Sequence, residues 1–91
     1  MPSVNFTSHL FRYFPDLNNG LKVEGRNVAE VIAALDERFP GLGDYIVDEC
    51  GALRKHVNVF IGDTMIEDRQ RLLDAVGDDK PVFIFQALSG G

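Results

Sequence analysis

The alternation of apolar and polar residues near the start of the chain predicts a β-hairpin. Residues 4–14 alternate in this way and are rich in β-branched and aromatic side chains, which is typical of a strand. The stretch 15–20 contains proline, asparagine and glycine, which favour a reversal of the chain. Residues 21–24 alternate again, so we expect them to return beside the first strand.

The clearest predicted element is an amphipathic helix that begins after Asn27. The Asn27 side chain can cap the first turn, and Glu30 follows at the spacing of a capping box. Pro40 and Gly41 then end the helix, because proline cannot continue it and glycine releases the chain. The apolar residues at helical intervals are Val28, Val31, Ile32, Leu35 and Phe39.

The second half of the chain predicts two further strands and two weaker segments. Residues 56–61 alternate, whereas residues 82–85 are apolar on both faces, as is typical of a central strand. A short edge strand is expected at 65–67. The stretches 42–53 and 68–76 fit either a turn of helix or a loop.

The order of these elements predicts an α+β protein of the β-grasp (ubiquitin-like) class, a small mixed sheet packed on one main helix. The second strong helix that a ferredoxin-like fold requires is missing from the pattern. We expect the crossover through the helix to place the third strand beside the first hairpin. Residues 1–86 are predicted to form the domain, and residues 87–91 a flexible tail that ends in Gly-Gly.

Composition narrows the classes of function. A chain of 91 residues, with 45% hydrophobic and 25% charged residues, fits one globular domain. Its net charge of −5 disfavours nucleic acid as a partner. The single cysteine excludes an internal disulfide. Neither a targeting signal nor an apolar run of membrane-spanning length is visible, so we expect a cytoplasmic protein without a membrane partner.

Four features together resemble a known family: the run 56–61, the helix from Asn27 to Phe39, the acidic turn at 77–79 and the terminal Ala-Leu-Ser-Gly-Gly. The chain resembles the ubiquitin-like sulfur carriers of the MoaD/ThiS type from Val4 to Gly91. The resemblance implies that an activating enzyme uses ATP to adenylate the Gly91 carboxylate, which becomes a thiocarboxylate. A second enzyme would accept the sulfur for molybdopterin, cysteine or tRNA thiolation. The protein would be a carrier without a bound cofactor, not an enzyme.

The tail suits such chemistry on physical grounds. Five extended residues reach roughly 17 Å, enough to thread Leu88, Ser89 and Gly90 into a deep active site. Glycine has no Cβ and therefore fits a narrow channel. Adenylation gives the Gly91 carboxylate a leaving group that a sulfur nucleophile can displace. Two alternatives remain open, a modifier joined to lysines through Gly91 and a β-grasp interaction module with an inert tail.

Three aromatic residues are candidates for a partner-binding surface. If Val57, Val59, Ile61, Val82 and Ile84 face the helix, the pleat sends Phe60, Phe83 and Phe85 to the open face of the sheet. An exposed apolar patch of this kind usually marks an interface, and a weak homodimer is one way to cover it. The alternative is that the rings pair across the strands and are partly covered by a loop, as is ordinary for aromatic residues in sheets.

The remaining polar residues predict no catalytic or metal site. The spacing of Cys50 and His56 matches no zinc pattern, and Cys50 is expected to be partly buried. His9 is expected in the first strand. The charged residues of 67–71 are expected on the surface, and Asp78 and Asp79 in a turn. Arg12, Arg54 and Lys55 are candidates for a local basic spot.

Overall fold

The computed structural model describes residues 1–86 of the chain. Its regular elements are β1 (Ser3–Phe6), a 3₁₀ helix (Ser8–Arg12), β2 (Leu21–Lys22), α1 (Val28–Arg38), α2 (Leu42–Ile46), β3 (Val57–Ile61), β4 (Thr64–Met65) and β5 (Val82–Gln86). The strands form one five-stranded sheet in the order β2-β1-β5-β3-β4. Strands β1 and β5 are parallel, and the other neighbours are antiparallel. The mixed sheet packed on one main helix is the predicted β-grasp arrangement.

The position of β3 differs from the prediction. We expected the third strand beside the first hairpin, but β5 lies between β1 and β3. Strand β5 pairs with a neighbour along both edges, and its own apolar composition suits this central place. The C-terminal strand is therefore held on both sides by the rest of the domain.

The core lies between the sheet and α1. The helix buries four side chains on the face that its apolar spacing predicts, Val28, Val31, Ile32 and Leu35. The sheet contributes buried residues from three strands, Val4, Phe6, Val57, Val59, Val82 and Ile84. Burying one such side chain stabilises the fold by roughly 1.5–3 kcal/mol, so this layer dominates stability.

Helix α1 begins as the sequence predicts, with one difference in the capping box. The Glu30 N–H donates to Asn27 Oδ1 over 2.8 Å. The Glu30 carboxylate accepts in return from the N–H of Arg26, one residue before the expected partner. The N–H groups of Val28 and Ala29 donate to carbonyl oxygens of the loop at 72–74, so the first turn of the helix is satisfied.

The segment 68–76 is a loop organised by a carboxylate. Asp68 accepts from the backbone N–H groups of Gln70, Arg71 and Leu73. Donation from the N–H of Arg71 is the main reason that the pKa of Asp68 lies below its ordinary value, while burial opposes the shift. The loop also buries Leu72, which adopts a left-handed φ of 60°. Asp68 thus fixes a turn that carries one core residue.

Three predicted strands differ in length from those observed, including the edge strand expected at 65–67, which covers Thr64–Met65, and the first strand differs most. Strand β1 ends at Phe6, and the residues expected to continue it, His9 among them, form the 3₁₀ helix. Leu10 is buried and Phe14 half-buried, four residues apart, a spacing that suits a helical turn as well as a strand. The returning strand is also shorter than expected, because it covers only Leu21–Lys22.

Candidate functional site

The candidate site begins where β5 ends, at Gln86. The predicted threading residues Leu88, Ser89 and Gly90 and the predicted reactive residue Gly91 lie outside the described residues. Gln86 is paired with Val57 of β3 on one side. On its other side, the Gln86 N–H donates to a side chain of the segment that follows β1. The structure therefore fixes the point from which the last five residues depart.

Thr7 is the residue that holds Gln86 from the side of β1. Its N–H continues the parallel ladder by donating to the carbonyl of Ile84 over 3.1 Å. Its own carbonyl accepts from Leu10 and so begins the 3₁₀ helix. At the next position of the ladder, the Thr7 hydroxyl takes the place of a backbone carbonyl and accepts from the Gln86 N–H over 2.8 Å. One threonine thus lets the first strand turn away while the last strand stays attached.

Arg69 fixes the neighbouring end of β3. Its guanidinium donates to Asn58 Oδ1 and to the backbone carbonyls of Val57 and Arg54, each over 2.9 Å. The prediction of a surface position for this residue was wrong, since Arg69 is half-buried. Its five donors suit several acceptors at once, and here they tie the loop after β4 to the strand beside Gln86. Sequence reasoning missed both Thr7 and Arg69.

The aromatic residues lie on the face of the sheet away from α1, as the pleat predicts. Phe60 and Phe83 are paired directly across β3 and β5. The Phe85 ring packs edge-on against Phe60 at 5.6 Å and stacks with Phe83 at 6.2 Å between centroids. The three rings, hereafter the aromatic patch, pair with each other as the second interpretation expected. Phe85 nevertheless remains 45% exposed, and the patch lines a shallow depression of about 370 Å³.

A basic segment lies at the same end of the sheet as Gln86. Arg54, Lys55 and His56, the basic segment, are all exposed and directly precede Val57, the residue paired with Gln86. The Arg54 Nε donates to the backbone carbonyl of Asp44 over 2.6 Å. Arg12 is also exposed, at the end of the 3₁₀ helix, but no hydrogen bond within residues 1–86 joins it to this segment.

The sequence comparison identifies the family. A model of the ThiS family matches residues 13–91. The chain belongs to the ThiS family. This match confirms the resemblance to ubiquitin-like sulfur carriers. The matched residues include the last five residues as well as most of the domain. Comparison with curated protein sequences finds no match.

Solved structures share the fold of this ThiS-family chain. A chain of the BexX/CysO complex from Amycolatopsis orientalis has a TM-score of 0.84 at 22% identity, with 100% of both chains covered. CysO from Mycobacterium tuberculosis has a TM-score of 0.82 at 21% identity, covering 97% of this chain and 100% of its own. SAMP1 from Haloferax volcanii has a TM-score of 0.75 at 21% identity, with 98% and 97% covered. At these identities the likeness shows the β-grasp fold.

The other predicted positions have structural roles in this ThiS-family domain. Cys50 is exposed, so the prediction of partial burial was wrong. Its N–H and that of Ala52 donate to Asp48 Oδ1, which closes a surface turn with Cys50 at its tip. Asp78 and Asp79 lie in a turn as predicted, and Asp78 contacts the N-terminal amine.

Residues 1–86 contain no group of three side chains placed to hold a metal ion. None of their helices has the length and apolar character needed to cross a membrane.

Proposed function

We propose that this protein is a sulfur carrier whose Gly91 carboxylate is adenylated and then converted to a thiocarboxylate. Membership of the ThiS family makes the chain a ubiquitin-like carrier or modifier. The observation that supports the finer proposal is the attachment of β5. The central strand is hydrogen-bonded on both sides as far as Gln86, and five residues ending in Gly-Gly follow. A last strand held on both sides and followed by a short glycine-ended segment suits delivery of the Gly91 carboxylate to another protein's active site.

The proposed chemistry proceeds in two balanced steps. First, an oxygen of the Gly91 carboxylate attacks the α-phosphorus of ATP, and pyrophosphate leaves. Hydrosulfide then attacks the acyl carbon, the carbon–oxygen bond to AMP breaks with its electron pair, and a thiocarboxylate and AMP remain. Both steps take place in the activating enzyme, so the carrier needs no catalytic side chain and no cofactor of its own.

We further propose that the aromatic patch is the surface on which the activating enzyme docks. Phe85 directly precedes Gln86, so a protein that contacts its ring also lies at the origin of the tail. Aromatic side chains are enriched at the centres of interfaces, where they bury a large apolar area with few rotatable bonds. A second copy of the chain is the competing occupant, and sedimentation of the isolated protein distinguishes a homodimer from a monomer.

The sulfur acceptor belongs to molybdopterin biosynthesis, cysteine biosynthesis or tRNA thiolation in this proposal. One structural neighbour comes from a complex, that of BexX with CysO, which supports a protein partner for chains of this fold. Such a pathway places the protein in the cytoplasm, with the activating enzyme and the acceptor enzyme as its two partners.

Protein conjugation is the second candidate function. One solved neighbour from H. volcanii is described as small archaeal modifier protein 1, which supports a modifier with this fold. In this case the activated Gly91 carbonyl would be attacked by a lysine amine, and an isopeptide bond would replace the thiocarboxylate. Only the acceptor differs, since both functions begin with adenylation.

ATP–pyrophosphate exchange tests the shared first step. We expect the activating enzyme of the same organism to exchange labelled pyrophosphate into ATP when the full chain is present. The variant lacking Gly90 and Gly91 is the matched control and should support no exchange. Equal exchange with the full chain and with the shortened variant would contradict both the sulfur carrier and the modifier. It would favour the interaction module with an inert tail.

A further inference from the structure

The basic segment is positively charged on an acidic protein. The chain has 14 acidic residues against nine lysines and arginines, yet Arg54 and Lys55 follow one another here beside His56, and all three are exposed. No carboxylate within residues 1–86 lies within 4.0 Å of a nitrogen of Arg54 or Lys55, since the only ion pair found there joins Met1 and Asp78. Asp48 lines a shallow depression together with the basic segment, but its carboxylate accepts from N–H groups of its own turn. The charge of Arg54 and Lys55 is thus not neutralised by the described part of the chain.

The short chain length between Gln86 and Gly91 limits which part of a partner the basic segment can contact. The proposed reactive residue Gly91 lies five residues beyond Gln86, and a fully extended chain of that length spans only roughly 17 Å. An enzyme that reacts at Gly91 must therefore bring the mouth of its active site close to the end of β5. Val57 is paired with Gln86 there, and neighbouring strands lie about 4.8 Å apart. Arg54 and Lys55 are exposed just before Val57, so their charge lies close to the strand end that such an enzyme must approach.

The basic segment is also continuous with the aromatic patch. Asn58 is paired with Phe85 across β3 and β5, and its side chain accepts from Arg69. The same Arg69 guanidinium donates to the carbonyl of Arg54. One hydrogen-bonded network thus sets the position of the basic segment relative to the exposed ring. A partner that covers both would contact the carrier at two places close to Gln86.

The chemistry favours an acidic protein surface as the occupant. Nucleic acid is repelled by the net charge of −5 and is normally bound through a wider basic surface. Carboxylates at the rim of an active site complement Arg54 and Lys55 and repel the acidic remainder of the carrier. That combination orients the encounter, because opposite charges steer the correct face and like charges reject the others.

We infer that the basic segment docks on a rim of carboxylates around the mouth of the activating enzyme, and so orients the tail for entry. The inference rests on the proposed carrier function, whose partner it describes. According to this inference, Arg54 and Lys55 help the carrier to associate with the activating enzyme in the correct orientation. They take no part in the chemical steps at Gly91.

A pair of charge-reversal variants tests the inference. The test variant is Arg54→Glu with Lys55→Glu, and the matched control is Lys22→Glu with Lys80→Glu. The control makes the same change of net charge at exposed positions near the opposite end of the sheet, beside Ser3 and Pro81. Far-UV circular dichroism and urea unfolding verify that both variants are folded. The measurement is the KM and kcat of ATP-dependent thiocarboxylate formation at low and at high salt.

We expect the test variant to raise the KM for the carrier roughly ten-fold at low salt, with kcat little changed. The increase should shrink at high salt, because exposed charges are screened. The control should change the KM by less than roughly three-fold under the same conditions. Equal effects of the two variants, or no effect of either, would overturn the inference.

Two other outcomes are separable from that one. If wild-type carrier gains no thiocarboxylate with an enzyme that is active on another carrier, the proposed function fails and the inference fails with it. If wild type and the control bind labelled tRNA, and the test variant does not while its KM is unchanged, the basic segment binds nucleic acid. The inference is then wrong.

Discussion

Replacing Thr7 with valine tests the attachment of the tail strand. The change removes the hydroxyl that accepts from the Gln86 N–H over 2.8 Å and keeps the β-branched shape of the side chain. The change also removes the longer donation from the Thr7 hydroxyl to the Ile84 carbonyl, over 3.3 Å, but that carbonyl keeps its bond to the Thr7 N–H. The main loss is therefore one acceptor for the Gln86 N–H. The 3₁₀ helix that starts at the Thr7 carbonyl should remain unchanged.

The expected cost follows from the environment of that bond. Gln86 is half-buried, so water can partly replace the lost hydroxyl, and the net value of one hydrogen bond applies, about 1 kcal/mol. If the end of β5 opens locally, this free energy corresponds to roughly five-fold faster exchange of the Gln86 amide. Amides in the middle of β5, such as that of Ile84, should change less.

Amide hydrogen exchange followed by NMR provides the assay. Thr7→Ser is the matched control, because it keeps the hydroxyl and removes only a methyl group. We expect the serine variant to protect the Gln86 amide nearly as well as wild type. The reasoning is refuted if valine leaves exchange at Gln86 unchanged, or if serine and valine accelerate it equally.

Three further predictions concern the same end of the sheet. Arg69→Lys should lower the free energy of unfolding by about 1–3 kcal/mol in urea titrations, because an ammonium cannot reproduce the three-acceptor geometry; wild-type stability would contradict this. Phe85→Ser should lower the free energy of unfolding by about 1–3 kcal/mol, because the ring packs against Phe60 and Phe83, and should also weaken binding of the folded variant to the activating enzyme in calorimetry. Leu73→Ser, at another exposed residue, should leave binding unchanged. Asp68 has a lowered pKa when folded, so its ionised form stabilises the fold above its ordinary value of 3.8, and this contribution is lost as pH falls through the lower folded value. Acid titration of wild type should therefore show a loss of stability that Asp68→Asn lacks, and identical curves would contradict the assignment.

The sequence predicts well those features that depend on neighbouring residues. Helix α1 begins directly after Asn27, as the capping spacing predicts, and ends one residue before Phe39. Strand β5 is central, as its two apolar faces indicate. The outward position of Phe60 and Phe85 also follows from simple alternation, because a pleated strand sends successive side chains to opposite faces.

Features that depend on distant contacts could not be predicted in the same way. The spacing of Leu10 and Phe14 fits two periods, and only their packing against the core decides for the 3₁₀ helix. The Arg69 acceptors lie 11 to 15 residues earlier in the chain, and no local pattern indicates such a meeting. The hydroxyl of Thr7 becomes a ladder acceptor only because β5 lies beside β1, a pairing of residues 77 or more positions apart.

The measurement that tests the central claim most directly is the intact mass of the protein after reaction with its activating enzyme, ATP and sulfide. The account predicts a gain in mass equal to the exchange of one oxygen for one sulfur. The same treatment should leave the mass of a variant lacking Gly91 unchanged. An unchanged mass of the folded full chain, with an enzyme that converts another carrier in parallel, would contradict the claim that Gly91 carries sulfur.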